Sequence, residues 1–194
     1  MRLQDRLPRS VTVDGRRYRV DLDFRNVLKM MDVLARTDLL GGSRAYLALK
    51  CLMRRPPRNA APVLDALRPI LFPETRRSAD GQKLTDFKQD AALIRAAFLQ
   101  AYGINLWRDR LHWLEFADLL AGIPEGSRYS DVIGIRARPM PQATKYNAKE
   151  REWLMEAKAR CALQMDDNER EANYSRCVQN VFAGLLAMAR KGET

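Results

Sequence analysis

The stretch DFKQDAALIRAAFLQAYG, residues 86–103, decides the fold class. Phe87, Ala91, Ile94, Phe98 and Ala101 follow one another at spacings of four, three, four and three, which puts five apolar side chains on one face of an α-helix. Both ends are marked. Asp86 with Gln89 three residues on has the pattern of a capping box, and Gly103 supplies a residue that closes a helix in the left-handed conformation.

The same period recurs upstream. Asp23 can cap a helix in which Phe24, Val27, Leu28, Met31 and Leu34 repeat at three and four residues, with an end expected near Gly41 and Gly42. Ser43 heads a second helix through Tyr46, Leu47, Leu49, Cys51 and Leu52, stopped by Arg54-Arg55-Pro56-Pro57. Asn59 starts a third through Val63, Leu64, Leu67 and Leu71, with Pro62 in the first turn, where a missing N–H is harmless. Before these helices, SVTVDGRRYRV at residues 10–20 places two β-rich runs around Asp14-Gly15, the pattern of a tight hairpin.

Downstream, PETRRSADGQK at residues 73–83 reads as a mobile loop, and residues 106–123 as a helix with Gly122 and Pro124 near its end. Ser127 caps a short helical turn with Tyr129, Val132 and Ile133. Residues 137–146, ARPMPQATKY, read as a connector. Asn147 and Glu150 repeat the capping-box pattern and open a helix with Trp153, Ala157 and Cys161 on one side. After a break at Asp166-Asp167-Asn168, Tyr174, Val178, Val181, Leu185 and Met188 again step by four, three, four and three, so the last two helices suit an antiparallel hairpin. The expected architecture is mainly α: a compact helical domain with a small N-terminal β-hairpin over residues 1–136, a connector at 137–146, and a C-terminal helical hairpin over 147–194.

Composition narrows the function. Hydrophobic residues make up 46% of the 194 residues and charged residues 30%, enough for a core, which excludes wholesale disorder. No apolar run approaches the roughly 18 residues needed to span a bilayer, and MRLQDRLPRS has no hydrophobic signal core. A soluble protein of the cytoplasm, neither secreted nor membrane-bound, is expected. Cys51, Cys161 and Cys177 show no CxxC spacing, and His112 is the one histidine; no disulfide framework, metal site or cofactor is expected from them. His112 lies three residues from both Asp109 and Glu115, but no nucleophile or oxyanion donor accompanies it, so the expected mode of action is not enzymatic.

The net charge of +10 is concentrated at the start, since residues 1–60 hold 14 Lys and Arg against 6 Asp and Glu. Arg16, Arg17, Arg19, Arg25, Arg54, Arg55 and Arg58, with Lys29, form a basic set suited to phosphates or to an acidic protein partner, or simply to solvent. Trp107 and Trp113 add aromatic anchors for a partner or for the core, and the Tyr174, Val178, Val181, Leu185 and Met188 stripe offers a face for a foreign helix or a second subunit.

Residues 86–136 resemble the bacteriophage gene-product-fifteen family, small proteins of tailed phages and prophages. The resemblance rests on Asp86, Phe87, Asp90, Ala91, Ile94, Ala96, Ala97, Phe98, Gln100, Tyr102, Gly103 and Ile104 in the first segment. A second segment follows with Leu111, His112, Trp113, Phe116, Leu119, Leu120, Gly122 and Pro124, and a third with Ser130, Asp131, Val132, Ile133, Gly134 and Arg136. Residues 5–25 also look like the start of that family. Its genes sit typically between those of the major tail protein and the tape-measure protein, so the resemblance implies a tail assembly chaperone that binds the tape-measure protein and other tail proteins. It brings no catalytic residues. Two other classes stay open at this point: a basic nucleic-acid-binding protein, and a structural tail or connector component retained in the virion.

Overall fold

A computed structural model of the chain describes residues 4–72 and 83–164. The expected loop at 73–83, apart from Lys83, and the stripe from Tyr174 to Met188 lie outside the described residues. The fold is mainly α, with a two-stranded antiparallel hairpin, β1 (Ser10–Val13) and β2 (Arg16–Arg19), followed by α1 (Phe24–Ala35), α2 (Gly41–Leu52), α3 (Ala61–Leu71), α4 (Ala91–Tyr102), α5 (Trp113–Ala121), α6 (Arg128–Ala137) and α7 (Ala148–Cys161). The chain divides into two units, Met1–Pro139 and Met140–Thr194.

In the first unit, the hairpin turns on Asp14 and Gly15, both with positive φ (49° and 73°), the geometry that matches the twist of the flanking strands. Val13 then pairs with Arg16 and Ser10 with Arg19. Asp23 caps α1, its Oδ1 accepting the Arg25 N–H at 3.0 Å. Gly41 and Gly42 open α2 instead of ending α1, which stops at Ala35, and Ser43 sits inside the first turn of α2. Residues 36–40 take up the link, where Arg36 and Asp38 form an exposed ion pair at 2.6 Å.

The helix expected from Asp86 begins at Ala91 with Asp90 at its N-cap, so Phe87 precedes it and the pattern at Asp86 closes the turn before the helix. Asp86 Oδ1 accepts the N–H groups of Lys88 and Gln89 at 2.8 and 2.9 Å, while Asp90, not Gln89, reaches back to accept the Asp86 N–H at 2.9 Å. The Gln89 N–H, then burial acting the other way and the Lys83 side chain, leave the Asp86 carboxyl below its ordinary pKa. At the far end Gly103 is left-handed at φ 67°, and the N–H groups of Gly103 and Ile104 return to the carbonyls of Leu99 and Phe98.

The helix expected over 106–123 exists only from Trp113. Two interactions hold the preceding residues out of it. Asn105 and Asp109 close a turn, Asp109 Oδ2 accepting the Asn105 N–H at 2.7 Å and Asn105 Oδ1 that of Trp107 at 3.0 Å. Residues 111–113 pair with 22–24, the Phe24 N–H donating to the Leu111 carbonyl at 3.0 Å and the Trp113 N–H to that of Leu22 at 2.7 Å. A backbone bridge of this kind, joining segments far apart in sequence, leaves no periodic trace.

The core is centred on Phe116, which is 1% exposed and stacks on Phe24 and Phe98 at ring-centroid distances of 4.6 and 5.2 Å. Trp113 and Phe87 complete the aromatic cluster. Val27 and Met30 of α1, Leu49 and Leu52 of α2, and Val63 and Leu67 of α3 extend it in aliphatic side chains, each 1% exposed or less. Trp113 Nε1 donates to the Leu71 carbonyl at 2.9 Å, which ties the end of α3 to this core without leaving a buried N–H unpaired.

In the second unit, Asn147 stands at the N-cap of α7, but its side chain makes no cap bond. It accepts the Thr144 N–H and donates to the Gln142 carbonyl, fastening the preceding turn. Arg151 donates to the Pro141 carbonyl. Leu154 and Ala157 are buried, whereas Trp153 is half exposed.

Candidate functional site

The segment from Asp86 to Arg136 is bound together by buried polar contacts. Arg136 donates to both Asp90 carboxylate oxygens, at 2.7 and 2.8 Å, and to the Leu84 carbonyl at 2.8 Å. Both side chains are almost fully enclosed, 7% and 2% exposed. Beside the pair, the Tyr129 hydroxyl and the Thr85 hydroxyl lie 2.9 Å apart, and burial raises the tyrosine above its ordinary pKa. These contacts lock α4 to α6 and give Asp90 and Arg136 an architectural role.

His112 is committed in the same way. It stands at the N-cap of α5, where Nδ1 accepts the Leu114 N–H at 3.2 Å, so Nε2 carries the proton and donates to the Pro8 carbonyl at 2.9 Å. Asp109 is not on a shared helical face with it, because the helix begins one residue later. Among the described residues no group of His, Cys, Asp and Glu has the arrangement of a metal site, and no helix there is long and apolar enough to cross a membrane.

The sequence-predicted basic residues separate into two sets. Arg16, Arg17 and Arg19 of β2, with Arg54 and Arg55 after α2, line one open groove of about 1120 Å³. They meet there because the Asp21 N–H donates to the Leu52 carbonyl at 2.8 Å, drawing the exit of the hairpin against the end of α2. Arg25 is turned elsewhere, and Arg58, though exposed, is not in the lining. The Arg25 guanidinium lies over the Phe24 ring and donates to the Leu106 and Asp109 carbonyls at 3.0 and 2.7 Å, so it holds the turn before α5.

Two groove residues escaped the sequence reading, Arg9 and Arg110. Arg9 directly precedes β1, and its carbonyl accepts the Val20 N–H at 3.0 Å; its place beside the Asp14-Gly15 hairpin was the available signal. Arg110 carried none, since only the bridge between residues 22–24 and 111–113 brings it to the hairpin exit. There it meets Asp23 at 3.0 Å and Asp21 at 3.0 Å. The Asp23 hydrogen bond, followed by the charges of Asp21 and Asp23, raises its pKa further.

The two tryptophans also part. Trp113 belongs to the core, 5% exposed. Trp107 is 75% exposed with the Arg95 guanidinium 4.5 Å from its ring centroid, and Leu99, one turn along α4 from Arg95, is 54% exposed. Trp107, Arg95 and Leu99 are thus an accessible aromatic and aliphatic surface of the kind that anchors protein partners.

The family model described as Bacteriophage Gp15 protein matches residues 3–163. The chain therefore belongs to the bacteriophage Gp15 protein family. The searches of curated proteins and of solved structures gave no match.

Proposed function

We propose that this phage protein acts by binding, without catalysis, as a tail assembly chaperone for the tape-measure protein in the cytoplasm of the bacterial host. Family membership over residues 3–163 carries the reading, because the resemblance implies a gene beside that of the tape-measure protein. A tape-measure protein is long and helical with an apolar face, and it aggregates unless that face is covered until the tail tube forms around it. The side chains of this chain favour such work: His112 spends both ring nitrogens on backbone groups, while Trp107 stands out from the surface. A chaperone must also leave when the tube assembles, which calls for modest affinity at each contact and several copies per client.

Mass spectrometry of purified particles tests this reading. Tube and tape-measure peptides are expected, with this chain absent. Recovery of the chain in fixed stoichiometry with the tube would make it a structural tail or connector component.

A further inference from the structure

We propose that the groove between β2 and the segment after α2 is a docking site for an extended, acidic segment of a protein, which adds to β2 as a third strand. Six arginines supply the charge: Arg9, Arg16, Arg17, Arg19, Arg54 and Arg55. Among the described residues Arg9, Arg19, Arg54 and Arg55 have no anionic partner, whereas Arg17 donates to the Ser10 hydroxyl and Arg16 lies over the Tyr18 ring. Of the acids in the lining, Asp21 and Asp23 are already held by Arg110. The groove therefore presents a surplus of guanidinium groups, and every cationic side chain in its lining is arginine. Planar guanidiniums bind carboxylates through two parallel hydrogen bonds, a geometry that lysine lacks.

The same groove distinguishes a peptide from a nucleic acid. Leu7, Met53 and Leu111 give it an apolar backing, which suits side chains that alternate with acids along an extended segment. Among the described residues the sheet has two strands, so β2 has β1 on one side only and no described backbone group pairs with its other edge. A nucleic acid uses neither feature. A single strand would instead stack its bases on exposed aromatic rings, yet the Tyr18 ring is covered by Arg16. It would also place phosphates against Asp21, Asp23 and Glu115 on one wall.

The proposal is independent of which protein is the client, and its test uses the full chain. A fluorescent peptide alternating Glu with Val is titrated and read by anisotropy at about 50 and 200 mM salt. The Lys-for-Glu peptide, an N-methylated Glu/Val peptide, and single- and double-stranded DNA of equal charge are titrated beside it. Binding of the Glu/Val peptide is expected, with loss for the Lys and N-methylated forms. Arg54→Gln with Arg55→Gln, and separately Arg17→Gln with Arg19→Gln, are expected to weaken it roughly three- to tenfold. Circular dichroism confirms that each variant is folded, and the DNA series on the unaltered chain decides the question if one is not. Failure of the peptide to bind, binding indifferent to the arginine variants, or tighter binding of DNA governed by the same arginines would each overturn the proposal. Loss of peptide binding with the tape-measure complex intact would separate this groove from the client surface.

Discussion

Asp90→Ala is expected to lower the stability of the protein by about 3–5 kcal/mol, because it removes the carboxylate that both terminal nitrogens of the enclosed Arg136 guanidinium meet. Urea unfolding followed by circular dichroism reads the change as a shift in midpoint at constant slope. The value is large because the pair is desolvated on both sides and carries further duties. Asp90 Oδ2 also accepts the Asp86 N–H, and Arg136 also donates to the Leu84 carbonyl. Losing the carboxylate therefore loosens the entry to α4 and its junction with α6 together. Combining Asp90→Ala with Arg136→Leu is expected to cost less than the two single changes added, since the double variant removes both charges of the pair together. Equal, additive losses would show that the two side chains contribute through packing alone.

Phe116→Ala has the second large effect, about 3–5 kcal/mol by the same measurement. Its ring meets those of Phe24, Phe87, Phe98 and Trp113, and these belong to different segments, so a collapse that fills the space must move several at once. Phe116→Leu keeps much of the volume and is expected to cost clearly less. A loss for Phe116→Ala no larger than that for exposed Leu99→Ala would contradict a core centred on this ring.

Both positions fall within the segment that carried the family resemblance, residues 86–136. Their contacts give a physical reason for that pattern. Phe87, Phe98, Trp113 and Phe116 build the aromatic cluster, Asp86 and Gly103 close the ends of the α4 segment, and Asp90 with Arg136 clamps it to α6. The recognisable residues thus specify the architecture, while the arginines of the groove, Arg110 excepted, lie outside the segment.

Local patterns were legible where the chemistry is local. The α4 stripe, the left-handed Gly103, the Asp14-Gly15 turn and the caps at Asp23 and Ser127 all depend on residues within a few positions of one another, so spacing revealed them. Helix edges set by distant partners were not legible. His112 shows three-residue spacing from Asp109 and Glu115, yet its segment is pulled into a bridge with residues 22–24. Likewise, Arg25 reads as one more surface cation until its carbonyl partners are seen. The groove was half legible: β2 and the Arg54-Arg55 pair announced their charge, but their meeting depends on the contact between Asp21 and Leu52, and Arg110 on the distant bridge.

These observations describe a phage-family helical protein with an architectural motif at its centre and two accessible surfaces, an arginine groove and the Trp107 face. On the two proposals made above, separate surfaces would engage a client by apolar contact and an acidic segment by charge, with different responses to salt.

The most direct measurement is multi-angle light scattering of this chain purified after co-expression with the tape-measure protein of the same phage, at low and high salt. A soluble complex of fixed stoichiometry, with several copies of this chain per tape-measure protein, is the expected result. An insoluble tape-measure protein with this chain eluting alone at both salt concentrations would contradict the chaperone function.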